Sequence, residues 1–348
     1  DNPPSWPPAV GVSGRSGSGK TLLIQGLVPR LIRRGLRVSV VKHCTHRIEA
    51  DRPGKDTDRI FAAGADVLAA GPEEAFARFH AVHMPLSLAL PRVAGECDVC
   101  LVEGYRGVAL PRIQIADKGE TGSAENSILR VSDSAAQLEE AEKAVWQVIE
   151  RVNASLPAMA LLLVGGRSRR MGEPKALLDA GGVTVLERIA SAAGPLVGGL
   201  VLGGAGVVPA SLAGLPCLPD VPGVQGPLGG ILSALRWQPA ARWLVAACDL
   251  PLLTADAVKW LLHQPRPGDD AICPRLAEDA DGEPLFALYA PTARPALDRA
   301  AEAGVRSVKE ALSATRVRAP LIPASLRAAW TNVNTPEEWD AARQALTP

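Results

Sequence analysis

The chain has 348 residues, above the roughly 250–300 at which single hydrophobic cores stop growing, so two domains are expected. Lysine plus arginine and aspartate plus glutamate each number 37, and the resulting net charge of zero leaves no basic excess for a nucleic-acid backbone or an anionic membrane. With 47% hydrophobic and 21% charged residues, and no apolar run near the ~18 residues of a membrane span, a globular cytoplasmic chain with small-molecule or protein partners is expected.

Residues 1–8, with Pro3, Pro4, Pro7 and Pro8, read as a leader without a core and carry no signal-peptide pattern. Residues 9–13 predict a strand and 14–21 a glycine-rich loop. Residues 22–36 have helical spacing, with Pro29 expected to kink or shorten the helix. A strand at 38–41, a helix at 57–63 and a buried parallel strand at 99–102, ending in Glu103-Gly104, follow. Between 134 and 152 the apolar residues Leu138, Ala141, Val145, Val148, Ile149 and Val152 recur every three or four positions, and Ser134 and Gln137 stand at capping-box spacing. The breaker-rich segment 153–157 then places a boundary between 9–155 and 156–348, and so short a linker implies docked or closely tethered domains.

The second half opens with an apolar strand at 160–164. It continues with strands at 200–202, 243–247, 271–273 and 285–289 and helices at 185–193, 228–235 and 255–262. Near the end, Thr335 is a helix cap, Pro336 takes the first helical position and Glu338 completes the box. Such alternation predicts two doubly wound α/β domains, each with a mostly parallel sheet covered on both faces.

Six cysteines, at 44, 97, 100, 217, 248 and 273, are scattered as expected for reduced thiols. Cys97 and Cys100 form a C-x-x-C within an apolar stretch rather than at a helix start, and so read as buried strand thiols, a redox or metal role being the alternative.

Gly14-Arg15-Ser16-Gly17-Ser18-Gly19-Lys20-Thr21 fits G-x-x-x-x-G-K-[ST] between a strand and a helix. In that motif the glycines (Gly14, Gly17, Gly19) let backbone N–H groups converge on phosphates, Lys20 reaches the outer phosphates and Thr21 offers a hydroxyl to Mg2+. Asp98 or Glu103, at the two ends of the later strand, would hold the metal's water shell, Glu103 being favoured because it lies at the carboxyl end. The dense polar run Lys42-His43-Cys44-Thr45-His46, followed by 51–56, reads as a loop beside the nucleotide that handles a second anion. A metal site at His43, Cys44 and His46 fits no common zinc spacing, and a solvated loop is the plain alternative.

Taken together, the glycine loop, the 42–56 stretch, Ala62-Ala63-Gly64-Ala65 and Leu101-Val102-Glu103-Gly104-Tyr105 resemble the molybdopterin-guanine dinucleotide biosynthesis adapter family across about residues 9–150. The resemblance implies a P-loop NTPase-like domain that binds GTP and assists guanylation of the molybdenum cofactor.

A second basic glycine loop, Gly165-Gly166-Arg167-Ser168-Arg169-Arg170-Met171-Gly172-Glu173-Pro174-Lys175, lacks the G-K-[ST] ending. Its glycines would let the strand end lie against a nucleotide while Lys175 and an arginine neutralise the triphosphate; a solvated basic loop is the alternative. Asp220 precedes Gly226-Pro227-Leu228-Gly229-Gly230. Asp249 follows an apolar strand at the sheet's carboxyl edge, a natural seat for Mg2+, and Asn332 and Asn334 offer amides before the last helix. Turn or cap roles are the plain alternatives for these four.

These segments resemble the molybdenum cofactor guanylyltransferase family across about 158–346. The resemblance implies a Rossmann-like nucleotidyltransferase domain in which Leu163, Val164, Gly165 and Gly166 line the guanosine, Lys175 meets phosphates, Asp220 contacts the nucleotide and Asp249 binds Mg2+. Leu202-Gly203-Gly204 stands where some members place a contacting Asn. The implied reaction joins GMP from GTP to the phosphate of Mo-molybdopterin, with Lys175, Asp249 and Arg170 as the catalytic set and with handover to molybdoenzymes or their chaperones. Cytidylyl or sugar-phosphate transfer is the close rival. A GTP-gated molybdopterin carrier without turnover is the reading from another class.

Overall fold

The computed structural model describes residues 7–44, 48, 51–80, 84–95, 97–116, 126–165 and 173–346. Two compact units emerge, Pro7–Val148 and the described residues from Ile149 onward. The first contains β1 (Ala9–Ser13), α1 (Lys20–Arg33), β2 (Val38–Lys42), α2 (Asp56–Ala62), β3 (Val67–Ala70), β4 (Ala75–Arg78), α3 (Leu86–Ala94), β5 (Val99–Glu103), β6 (Arg112–Ile115) and β7 (Ser127–Val131). Helix α4 (Leu138–Ser155) carries the chain from one unit to the next.

Five parallel strands of the first unit run in the order β2-β5-β1-β6-β7, and β3 and β4 form a separate antiparallel hairpin. The chain leaves β1 toward one edge and later returns to build the other, so the carboxyl end of β1 is a topological switch point, where ligands of open α/β sheets bind. Helix α1 contains Pro29, which costs an interior hydrogen bond and about 3 kcal/mol. Leu23, Ile24, Leu27 and Leu31 are buried on both sides of it, at about 1.5–3 kcal/mol each, so burial outweighs the proline and the helix runs through it, ending at Arg33 rather than at 36.

The capping box expected from Ser134 does not form. Instead Asp133 Oδ1 accepts from the N–H groups of Ala135 and Ala136, at 2.9 and 3.0 Å, and Gln137 Oε1 accepts from Ser132 N at 2.7 Å. The helix begins only at Leu138 because these side chains hold 132–137 as a turn.

The second unit contains β8 (Ala158–Leu163), α5 (Val185–Ala193), β9 (Leu200–Gly203), β10 (Cys217–Leu218), α6 (Pro227–Trp237), β11 (Arg242–Ala247), α7 (Ala255–Leu262), β12 (Ala271–Ile272), β13 (Phe286–Tyr289), α8 (Arg294–Glu302), α9 (Val308–Ala311), β14 (Val317–Arg318) and α10 (Pro336–Leu346). Its seven strands run β10-β9-β8-β11-β13-β12-β14, with β13 antiparallel to both neighbours and the other pairs parallel. Alternation along β8 sends Leu162 and Val164 into a core with Leu186, Ile189, Leu244 and Trp330, and Leu161 and Leu163 into another with Ile231, Trp243, Tyr289 and Leu297. Both faces are thereby covered, as expected of a doubly wound α/β sheet.

Local rules fix the helix starts. Thr184 and Glu187 close a capping box on α5, with Glu187 N donating to Thr184 Oγ1 at 3.2 Å and Thr184 N to Glu187 Oε2 at 2.7 Å. Thr335 and Glu338 do the same for α10. The second switch point lies between β8 and β11, whose carboxyl ends are joined by Cys248 N donating to Leu163 O at 3.1 Å.

Candidate functional site

In the first unit the loop after β1 is shaped by glycine. Gly17 and Gly19 have φ of 74° and 90°, and a Cβ on Gly14 would lie 2.5 Å from Ser18 Oγ and 2.9 Å from Ile115 O. Gly19 is the N-cap of α1 and supplies no side-chain cap, and the first turn has no acidic residue, so its N–H groups are left for an anion. Lys20 Nζ folds over the loop onto Gly14 O (3.3 Å) and Arg15 O (2.5 Å).

Strand β5 brings Glu103 to this loop. Registered beside Val12 of β1 and Lys42 of β2, its buried carboxylate accepts from Thr21 Oγ1 at 3.4 Å and lies 3.4 Å from Lys42 Nζ. Asp98 is engaged at the opposite end of the strand. Arg37 N donates to its Oδ2 at 2.7 Å and the Arg37 guanidinium pairs with both oxygens, so Asp98 pins the start of β2 and takes no part in the loop.

The His43 ring packs against Tyr105 with centroids 4.9 Å apart, and Cys44 is exposed and free, while Thr45 and His46 lie outside the described residues. Among the described residues no group of three or more His, Cys, Asp and Glu side chains could hold a metal. Cys97 and Cys100 are free and buried in a core with Leu86, Leu90 and Val102. Burial raises both thiols, Cys100 to about 12, which suppresses the thiolate that redox or metal chemistry needs.

In the second unit a pocket of about 460 Å³ is walled by Leu163, Val164 and Gly165 at the end of β8, the Gly203–Gly206 loop after β9, Asp220 and the Gly226-Pro227 start of α6. That volume is in the range of small-ligand sites. Glycine makes the wall: a Cβ on Gly204, where φ is 96°, would stand 2.4 Å from Val164 O, and one on Gly206 would stand 2.9 Å from Val164 C. On the α6 side a Cβ on Gly229 would reach within 3.2 Å of Asp220 Cβ, and one on Gly230 within 2.8 Å of Leu163 Cδ2. The double glycine therefore lets helix, strand end and carboxylate approach one another.

Beside the pocket, Lys175 Nζ lies 3.6 Å from Asp249 Oδ2 and donates to Asn334 Oδ1 at 2.7 Å. Val333 N donates to Asp249 O at 3.0 Å, tying the Asn332–Asn334 segment to the end of β11. Asp249 Oδ1 is fully enclosed and has no hydrogen-bond partner among the described residues. Burial raises the Asp249 carboxyl above its ordinary range, with Lys175 opposing, and partial burial raises Asp220.

Glu283, which sequence reasoning missed, joins this group. Burial raises its carboxyl, the Asn332 amide bonds to it, and Asp249 and Lys309 act on it through charge. Gly166 and Arg170 lie outside the described residues. Missed too was the Gly203–Gly206 loop as a pocket wall, for which the run Gly-Gly-Ala-Gly was the available signal.

The donor set suits Mg2+ better than a softer ion. Mg2+ is held by one or two carboxylates and completed by substrate phosphates and water, and an enclosed carboxylate oxygen with no partner among the described residues would fit that pattern.

Comparison with known proteins finds one family match in each unit. Residues 160–317 match the family model "MobA-like NTP transferase domain" and residues 9–138 match "Molybdopterin guanine dinucleotide synthesis protein B". A "Probable molybdenum cofactor guanylyltransferase" of Pelotomaculum thermopropionicum is 32% identical over 54% of this chain and 93% of its own length. A "Molybdopterin-guanine dinucleotide biosynthesis adapter protein" of Haemophilus influenzae is 38% identical over 30% of this chain and 61% of its own. A "Molybdenum cofactor guanylyltransferase" of Nitrobacter hamburgensis is 35% identical over 52% of this chain and 91% of its own. With a pocket and a lysine–carboxylate pair at the switch point, and with two guanylyltransferase relatives more than 30% identical and matched along nearly their whole length, the chain belongs to the molybdenum cofactor guanylyltransferase family.

Proposed function

We propose that the second unit transfers GMP from GTP to the phosphate of Mo-molybdopterin and releases pyrophosphate, and that residues 9–155 and 156–348 act as a GTP-binding adapter domain and a transferase domain. The observation that carries this reading is the Lys175–Asp249 pair, 3.6 Å apart beside the pocket walled by Leu163, Val164, Gly165 and Asp220. A phosphate monoester oxygen of the acceptor attacks the α-phosphorus of GTP. The new P–O bond forms as the bond to the β-phosphate bridging oxygen breaks, and the electron pair leaves with pyrophosphate.

Because the attacking oxygen is already anionic, no strong general base is required and the residues act by positioning and charge neutralisation. Lys175, kept in place by Asn334, meets the phosphates, and Asp220 in the pocket wall contacts the nucleotide. Arg170 is assigned to the same screening on sequence alone. Asp249 in this unit, and Thr21 with Glu103 in the first, are the residues to hold Mg2+, which supplies charge neutralisation between two anions when bound. The reading also assigns the protein to the cytoplasm and foresees product handover to molybdoenzymes or their chaperones. Among the described residues no helix is long and apolar enough to cross a membrane.

The test is incubation of the full chain with molybdopterin, molybdate, Mg2+ and either GTP or CTP, followed by mass analysis of the pterin. A guanylated product with GTP alone supports the reading. A cytidylylated product, or cofactor binding without pyrophosphate release, overturns it.

A further inference from the structure

The carbonyl oxygen of Gly14, first residue of the glycine loop, receives two cations: Lys20 Nζ at 3.3 Å and a guanidinium N–H of Arg106. Arg106 is exposed and comes from a different part of the chain, the turn after β5 that follows Glu103. That turn is built to hold it. Gly104 and Tyr105 adopt left-handed φ of 91° and 47°, a strained state for tyrosine, and Tyr105 Oη donates to Met84 O at 2.8 Å. The buried Arg112 guanidinium donates to the carbonyls of Gly104, at 3.3 Å, Tyr105, and Val108, at 2.7 Å. Room for Arg112 exists because its register partner in β1 is Gly11, on which a Cβ would stand 2.7 Å from Arg112 Nη1.

Two cations on one neutral oxygen repel each other, and Glu103, the nearby carboxylate, is taken by Thr21 and Lys42. What would balance them is a polyanion in the loop. In a loop of this sequence the lysine reaches the β- and γ-phosphates, so a second cation sharing its carbonyl stands at the terminal-phosphate end and not at the nucleoside end. We propose that Arg106 reads the terminal phosphate of the nucleotide in the first unit, exchanging Gly14 O for the γ-phosphate and thereby setting preference for triphosphate over diphosphate. This rests on the reading of residues 14–21 as a nucleoside triphosphate site.

The test compares equilibrium binding of GTP and GDP, with Mg2+, to the full chain and to its Arg106→Gln, Arg106→Lys and Lys20→Ala forms. Binding that Lys20→Ala removes is assigned to the first site. Arg106→Gln is expected to weaken the first-site affinity for GTP about tenfold and to change that for GDP less than about twofold, with partial recovery in Arg106→Lys, as befits loss of one charge-assisted contact. Equal weakening of GTP and GDP, or no change in either, overturns the assignment. If Lys20→Ala removes no binding, the first loop is not a nucleotide site, and the inference falls with that reading and not through Arg106.

Discussion

Lys175 and Asp249 stand 3.6 Å apart although 74 positions separate them in the chain, and Asn334, to which the lysine also donates, comes from a third segment. Three loops at the carboxyl edge of one sheet thus supply one charged cluster, as the switch-point rule anticipates. Since the reaction joins two anions, groups at this cluster act more strongly on the transition state than on bound GTP. Asp249→Ala should therefore lower the rate of pyrophosphate release by at least about 10²-fold while changing the KM for GTP much less. Steady-state kinetics across GTP and Mg2+ concentrations would check this, and an unimpaired variant would remove Asp249 from the mechanism.

The same carboxylate costs the free protein stability. Its pKa is raised by burial above the unfolded value, so between the two values the folded state holds more protons, and stability falls as pH rises through that interval. Asp249→Asn should consequently melt about 1–3 °C higher than the parent at neutral pH without Mg2+. The advantage should shrink as pH falls through the raised pKa and vanish where the carboxyl is protonated in both states. Melting curves from neutral pH down to the acid limit would show it; a variant less stable at neutral pH would mean that Oδ1 has a partner that offsets its burial.

Glu103 and Asp98 sit at the two ends of β5 and should part company under substitution. Asp98 is buried and binds Arg37 through backbone and guanidinium, so Asp98→Ala removes the acceptor of the Arg37 N–H and of its guanidinium and should cost about 1–3 kcal/mol of stability. Glu103→Gln keeps the shape beside Thr21 and should instead weaken Mg2+-dependent GTP binding at the first site with a small change in melting temperature. Denaturant unfolding and nucleotide titration on both variants would separate the two. The expectation fails if Asp98→Ala unfolds normally or Glu103→Gln binds as the parent does.

How far the sequence disclosed this arrangement depends on whether the signal was local. Gly14–Thr21 and Gly165–Lys175 announce themselves because a phosphate loop needs glycine and lysine at fixed spacing, and α5 and α7 form at the expected 185–193 and 255–262, where the structure adds threonine caps. Glu283 was not, because antiparallel pairing of β13 with β11 and β12, and not any neighbour in the chain, carries it to Asn332 and Asp249. The β3–β4 hairpin escaped notice because its strands are four residues each and their sequences, Val-Leu-Ala-Ala and Ala-Phe-Ala-Arg, carry no apolar–polar alternation, although exposure alternates along both. Pro29 lies inside α1, which ends at Arg33, three residues before the expected 36, while burial of Leu27 and Leu31 on either side holds the turn around the proline. Arg106 carried no motif at all; its meaning comes from the carbonyl it shares with Lys20.

Thiol reactivity should divide the six cysteines cleanly. Cys44 and Cys217 are exposed, whereas Cys97, Cys100, Cys248 and Cys273 are buried, with thiols raised by burial, Cys100 and Cys273 to about 12. A disulfide reagent near pH 8 should modify two thiols per native chain quickly and the other four only on unfolding. Rapid native reaction at Cys97 or Cys100, identified by peptide mapping, would restore the redox reading of the C-x-x-C.

Gly204 and Gly181 offer a controlled pair for the pocket wall. Both have φ near 90°, at 96° and 88°, but a Cβ on Gly181 meets nothing within 4 Å while one on Gly204 would stand 2.4 Å from Val164 O. Alanine at Gly181 adds only left-handed strain, about 1–2 kcal/mol. Alanine at Gly204 adds a collision with backbone, which cannot yield as a flexible side chain would, so the β9 loop must move away from Val164 and Gly165 and open the pocket. Gly204→Ala should therefore lose more stability than Gly181→Ala and, unlike it, raise the KM for GTP several-fold. Equal effects of the two substitutions on GTP would mean that the close approach of these two backbones does not shape the nucleotide pocket.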